Sequence, residues 1–433
     1  MIVKGSNSNM TPVRRLTIRP LRDFLAAEAA GGIAVLLATG IALAWANSPW
    51  VGSYMTLWST EFGVRVGRYG FSLDLRHWVN DGLMTVFFLV VGLEIKRQLV
   101  EGELRERRKA IVPVVAAIGG MVVPALIFVA WTVGTPQIGG WGIPMATDIA
   151  LAVGILALAG PRFPAGAKLF LLALAIVDDI GAIIVIAIFY GTGGRRVMLL
   201  LAALVVVAVV VVRRLGVTAI GVYVILGVVL WWALHNAGVH PTLAGVVMGL
   251  LAPTQPFISR DLIDEDELAD VSSVEHAAAT VRLAKSSVSV VEWLEHRLHR
   301  WTSFVIVPVF AIANAGIEIS GSSLRDAVGM RLVWGVGLGL LIGKPVGILA
   351  ATYCVVRSGA GALPDGTTWR DLTAAAMVAG VGFTVSLFVS ELAFEHPVSD
   401  NAKVAVLAAS IAAGAVALVV ARWATRDTGP AMR

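Results

Sequence analysis

LFLLALAIVDDIGAIIVIAIFY, residues 169–190, is apolar or Gly throughout except for Asp178, Asp179 and the closing tyrosine. Its length is that of a helix crossing a bilayer, for which about 20 predominantly apolar residues are needed. Similar runs recur over 24–46, 78–93, 110–133, 143–159, 197–212, 217–234, 240–252, 301–317, 332–356, 372–394 and 402–421. The chain of 433 residues is 57% hydrophobic and 15% charged, with a mean hydropathy of +0.82. A soluble domain carries about 25% charge. Lipid leaves a backbone only helices or closed barrels, so the runs predict an all-α polytopic membrane protein with about twelve transmembrane helices.

The formal net charge of +5 raises the question of a nucleic-acid partner. Its distribution answers it. With a cytoplasmic N-terminus and twelve spans, the cytoplasmic loops hold 25 Lys and Arg. The other side holds eight: Arg65, Arg68, Arg76, Arg195, Arg196, Arg325, Arg331 and Lys403. That bias follows the positive-inside rule; it predicts both termini in the cytoplasm and no nucleic-acid partner. The single Cys354 rules out an internal disulfide. The polar first 20 residues lead into a long span rather than a short signal core, so no cleaved signal peptide is expected.

One membrane domain therefore covers 1–433, with its core over 24–425 and two long connections. Residues 48–77, on the outer side, include FGVRVGRYGFSLDLRHW (62–78), whose alternation around Gly-Arg-Tyr-Gly predicts a β-hairpin. An isolated hairpin is marginal in water, so it is expected to pack on something, such as a second copy of itself. Residues 253–300, on the cytoplasmic side, contain the acidic RDLIDEDELAD and then the amphipathic VRLAKSSVSVVEWLEHRLHRW.

Polar groups deep in hydrocarbon are costly and mark function. Asp178 and Asp179 lie about 15 Å from Lys168 at helical rise. Asp148 sits in the uncharged GWGIPMATDIALAVGI, and Lys344 is the only charge between Arg331 and Arg357. Each buried Asp or Lys opposes insertion by roughly 2.5–3.5 kcal/mol if charged and unpaired. One lysine cannot pair three carboxylates. Neighbours on a helix point about 100° apart, so one of Asp178 and Asp179 can pair with Lys344 while the other lines a cavity. Asp179, Asp148 and the Thr147 hydroxyl offer oxygen ligands to a hard cation such as sodium. Proton and metal ion would compete for those oxygens, the logic of an exchanger. Transporter sites also form where Gly or Pro interrupts two spans in corresponding halves. The candidates are WGIPMATDIALAVG, with Gly142, Pro144 and Thr147, and MVAGVGFTVSLF, with Gly380, Gly382 and Thr384. Asp148 and Lys344 are placed to offset the half-helix dipoles.

Eight segments carry a resemblance over about 20–425: NDGLMTVFFLVVGLEIKR (80–97), ATDIALAVGILAL (146–158), LAIVDDIGAIIVIAIFY (174–190), GVHPTLAGV (238–246), LEHRLHRW (294–301), PVFAIANAG (308–316), IGKPVG (342–347) and GVGFTVSLF (380–388). Together they resemble the NhaA-type sodium/proton antiporters. The resemblance implies inverted repeats with two interrupted, crossing helices, and an ion site of Asp179 with Asp178, which would hold sodium. Thr147 and Asp148 would belong to the crossed assembly, with Lys344 pairing to Asp178. It implies electrogenic, pH-regulated exchange of internal sodium or lithium for external protons, no cofactor, a bacterial inner membrane, lipid contact, and a homodimer through the hairpin at 61–76. The pH-response positions would be Glu94, Arg97, Glu295, His296 and His299, with His240 modulatory. Gln98 stands where family members often carry Glu, and the 253–300 loop is longer and more acidic than in compact relatives. Glu391 adds a carboxylate near the outer end of its span, to which no role is assigned.

Two other readings compete. An intramembrane aspartyl protease needs two carboxylates sharing a proton, which Lys344 beside Asp148 and Asp179 would spoil. A potassium-selective exchanger uses the same ligand types.

Overall fold

The computed structural model describes residues 12–66, 69–100, 102, 105–160, 163–191, 193–217, 219–253, 290–319 and 329–426. The expected acidic stretch at 260–270, the first part of the amphipathic helix and the hairpin tip at 67–68 lie outside the described residues.

Among the described residues the secondary structure is helical apart from one pair of strands. Helix α1 (Pro12–Ala46) leads to α2 (Val51–Trp58), then β1 (Glu61–Val66) and β2 (Tyr69–Asp74). The strands pair antiparallel, with Glu61 opposite Asp74 and Val66 opposite Tyr69. Asp74 caps the short α3 (Leu75–His77) through its carboxylate and the His77 N–H, 2.7 Å. A π-helical stretch over Trp78–Leu83 passes into α4 (Met84–Val100), followed by α5 (Arg107–Thr132). A 3₁₀ segment, Pro136–Met145, precedes α6 (Ile149–Ala159) and the aspartate-bearing α7 (Ala165–Phe189). Next come α8 (Arg196–Arg214), α9 (Ile220–Ala237), α10 (Leu243–Leu251), α11 (Val290–Trp301) and α12 (Val307–Asn314). The last five are α13 (Arg331–Leu338), α14 (Lys344–Arg357), α15 (Trp369–Ala379), α16 (Phe383–Ala393) and α17 (Val398–Arg426).

Among the described residues seven helices are long and apolar enough to cross a membrane, or nine if each of two bent pairs is one span. The remaining expected spans, 78–93, 240–252 and 301–317, are helical. They are not among the counted helices; α10 has nine residues, and the other two run through π-helical stretches. The bent pairs are the 3₁₀ segment with α6, at 49°, and α15 with α16, at 41°.

Helices α5 and α14 approach more closely than side chains permit. A Cβ on Gly119 would lie 2.4 Å from the Gly347 carbonyl oxygen, and one on Gly347 would lie 2.1 Å from that of Gly119. Small residues supply such contacts in membranes, where lipid removes any hydrophobic drive for helix association. This contact, with a π-turn at Gly339–Gly343 just before it, seats Lys344 fully inside the bundle.

Candidate ion-binding site

The two bent pairs meet at their breaks. Ala146 is extended, and the Asp148 N–H leaves its own helix to donate to the Val381 carbonyl, 2.8 Å away. The Thr147 hydroxyl oxygen lies 3.0 Å from the Ala379 carbonyl, although its one proton is shared with a shorter contact to Asp178, and the Ser386 hydroxyl donates to the Ile143 carbonyl at 2.7 Å. Gly380 and Gly382 lie in the second break. A Cβ on Gly380 would sit 2.6 Å from the Leu340 carbonyl oxygen, so the close approach to the π-turn requires glycine there. Gly142 and Pro144 stand inside the 3₁₀ segment, and the first break comes later, over 146–148. The Gly142 N–H is held by the Tyr190 hydroxyl at 3.1 Å, which ties the segment to the end of α7. That bond explains the glycine: a Cβ there would sit 2.7 Å from the same hydroxyl.

Each break exposes half-helix ends, and buried charges stand against them. Asp148 Oδ1 accepts from the Leu151 N–H at 3.0 Å and caps α6. Its Oδ2 accepts from the Thr384 N–H at 3.1 Å and hydroxyl at 2.7 Å, at the start of α16. One carboxylate thus serves two helix N-termini, where a negative charge is favoured. Lys344 Nζ donates to the Met145 carbonyl at the opposite, C-terminal end of the 3₁₀ segment. It also donates to Asp178 Oδ2 at 2.5 Å, and the same oxygen accepts from the Thr147 hydroxyl at 2.6 Å. Lys344 and Asp178 are both fully enclosed.

Asp179 differs from its neighbour. It is buried, yet no donor among the described residues hydrogen-bonds to its carboxylate. It lines a cavity of about 70 Å³ together with Thr147, Asp148, Thr384, Glu94 and Glu28. A bare carboxylate in a small, largely apolar cavity, with hydroxyls and further carboxylates at points on the walls, can take one proton or one small cation. Among the described residues no three of His, Cys, Asp and Glu converge as a metal site.

The profile of the Na+/H+ antiporter 1 family matches residues 22–421. The chain is 45% identical to the Na(+)/H(+) antiporter NhaA 2 of Sorangium cellulosum, over 96% of this chain and 92% of that protein. It is 44% identical to the Na(+)/H(+) antiporter NhaA of Rhodopirellula baltica, over 94% of each. This chain belongs to the Na+/H+ antiporter 1 family. The sodium proton antiporter MjNhaP1 from Methanocaldococcus jannaschii overlays with a TM-score of 0.46 at 12% identity, over 94% of this chain and 98% of that one. The family is one of transporters rather than enzymes, which removes the aspartyl-protease reading.

Five of the six positions that the antiporter resemblance assigned to pH response gather beyond Asp179 on the α4–α11 side. Glu94 lines the cavity, and its Oε1 is buried with no hydrogen-bond partner. Arg97 pairs with Glu295 at 3.1 Å, His299 Nε2 lies 3.0 Å from Glu28 Oε1, and His296 is exposed. His240 stands apart from these. Its Nδ1 lies 2.7 Å from the Thr242 hydroxyl, and its ring meets Phe388 edge-on at 5.2 Å. Its Nε2 lies 3.8 Å from Asp81, as does His235 Nδ1. Asp81 is 13 residues before Glu94, about 20 Å away along the helix. Phe88, Phe310 and Phe388 pack together between these polar groups.

Sequence reasoning passed over Glu28 and Asp81. Both carried the signal that singled out Asp148, a carboxylate within an apolar run. Thr384 stood in the second interrupted span with Gly380 and Gly382, but its bond to Asp148 joins residues of two different helices and had no signal in the sequence. In Thr384→Val, Asp148 keeps the backbone N–H but loses the hydroxyl. The loss of a hydrogen bond to a buried charge is expected to cost about 1–3 kcal/mol, read as a lower unfolding midpoint in detergent.

Proposed function

We propose that this protein exchanges cytoplasmic sodium or lithium for external protons, electrogenically and under pH control. The bare Asp179 carboxylate carries the reading. A proton or an alkali cation neutralises its single negative charge, and holding one removes the charge that attracts the other. Asp178 is held by Lys344 and Thr147, so its role is to fix the site, sharing the ion only when Lys344 lets go. Asp148 and Thr147 join the crossed breaks and keep oxygen atoms beside Asp179. The Glu94, Arg97, Glu295, His296 and His299 group belongs to the entrance on the cytoplasmic face, where titration can gate access.

The charge bias of the loops supports a bacterial inner-membrane protein with both termini cytoplasmic. That orientation puts the hairpin outside and the bundle in contact with lipid. We assign the dimer contact to residues 61–76, because two strands with exposed Glu61, Phe62 and Ser72 are too small to be stable alone. Deleting 61–76 is expected to move the purified protein to the monomer position on detergent sizing with mass determination. An unshifted dimer removes the hairpin from the contact.

The functional test is a proteoliposome assay with an interior pH dye, adding sodium, lithium or potassium from neutral to alkaline pH. Sodium- and lithium-driven proton movement, with a voltage-dye response, supports the proposal. A response to potassium alone selects the potassium exchanger, and no proton movement with any ion overturns exchange.

A further inference from the structure

Glu391, which the ion site leaves unused, belongs to a second cluster of charges at the far end of α16. Lys403, almost wholly buried on α17, pairs with the Glu391 carboxylate and lies 3.5 Å from Asp400. Asp400 Oδ2 lies 3.1 Å from His396 Nδ1. His396 Nε2 in turn lies 3.1 Å from Arg76 Nη1, in α3 directly after the hairpin. Arg76, His396, Asp400, Lys403 and Glu391 thus form one chain running from the hairpin arm to the helix pair α16–α17. Thr384, in the first turn of α16, bonds Asp148.

The geometry dictates where the His396 proton sits. A carboxylate only accepts hydrogen bonds and a guanidinium only donates them. Nδ1 facing Asp400 therefore carries hydrogen, and Nε2 facing Arg76 must present a lone pair. Only the neutral imidazole fits both neighbours. With it the cluster balances two cations against two carboxylates. A proton added at Nε2 replaces the lone pair with an N–H, abolishes the Arg76 bond and sets two cations 3.1 Å apart, while the Asp400 bond becomes charge-assisted.

We propose that His396 is a proton-binding site in which the neutral imidazole clasps the hairpin arm to α16–α17 through Arg76 and Asp400, and that protonation opens the clasp at Arg76. The clasp is closed at alkaline pH and open at acid pH. The groups facing His396 are Arg76 from α3, Asp400 and Lys403 from α17, and Glu391 from α16. The hydrogen bond to Asp400 pushes the imidazole up from its ordinary value, while burial and Lys403 work the other way. His396 is half exposed, so bulk protons reach it. That these are protons of the outer compartment rests on the orientation proposed above; the clasp itself does not.

Two measurements on the full-length protein in micelles test this without transport, so they stand or fall separately from sodium/proton exchange. In the first, histidine-labelled NMR follows His396, assigned by its loss in H396Q. R76L is expected to raise the midpoint and D400N to lower it, each by roughly one pH unit. An unchanged midpoint in R76L overturns the clasp. In the second, spin labels replace Ser72 and Ala408 in a C354S background. Their distance distribution is expected to be narrow at alkaline pH and broad at acid pH. It should stay narrow at both in H396Q, whose amide donates to Asp400 and accepts from Arg76 at any pH. A wild-type distribution that ignores pH, or an H396Q distribution that follows it, overturns the proposal.

Discussion

Vesicles carrying Asp179→Asn are expected to hold their pH gradient when sodium is added, with dye recovery at the level of protein-free vesicles. Asn nearly matches Asp in shape, and no hydrogen bond to Asp179 among the described residues has to be rebuilt. The substitution also removes a buried carboxylate that has no partner, so folding should be unharmed or improved. The amide cannot take up a proton at these pH values and offers a cation one neutral oxygen in place of a charge. Folding and exchange should therefore separate: an unchanged or higher unfolding midpoint together with lost transport. Normal sodium-driven recovery in D179N would show that the competition takes place elsewhere. Isothermal titration provides a direct companion test, since sodium binding to the wild type should release protons and binding to D179N should release none.

Lys344→Ala should act on the other side of the site, chiefly through stability. Its ammonium is fully enclosed, held 2.5 Å from Asp178 and against the Met145 carbonyl. Removing one partner of a buried ion pair leaves the other unpaired and costs about 3–5 kcal/mol. That is a large share of a total stability of about 5–15 kcal/mol. The expected result is a marked fall in the unfolding midpoint in detergent. The double variant K344A/D178N should recover most of it, because no lone charge then remains and residues in contact couple strongly. If K344A alone leaves the midpoint unchanged, the pair is not a structural element. If the double variant is no better than the single one, the loss came from the cavity and the uncapped Met145 carbonyl rather than from the orphaned charge.

Much of this architecture was legible without coordinates. Apolar run lengths marked the membrane helices, and the four charges singled out by depth all occupy the crossing of the two breaks or its immediate wall. Legibility ended wherever a role depended on contact. Gly142 and Pro144 marked the right span but not the break, because the Tyr190 hydroxyl just after α7 accepts from the Gly142 N–H, while the Asp148 N–H ahead of α6 donates to the Val381 carbonyl. His240 stood within a family pattern beside the pH-response residues, yet α4 separates it from them by more than half its length. Glu391 had no reading in the sequence because its partner, Lys403, lies on another helix.

The sequence by itself determined the solvent, the helical class and the short list of charges that lipid would penalise, since burial length and hydropathy are properties of contiguous residues. It also established family membership, which rests on residues in register over nearly the whole chain. Only the tertiary structure decided which of two adjacent aspartates is paired and which is bare. A turn of about 100° between neighbours guarantees that Asp178 and Asp179 face different surroundings. The packing of α14 against α5 and the crossing of the breaks then determine which surroundings each receives.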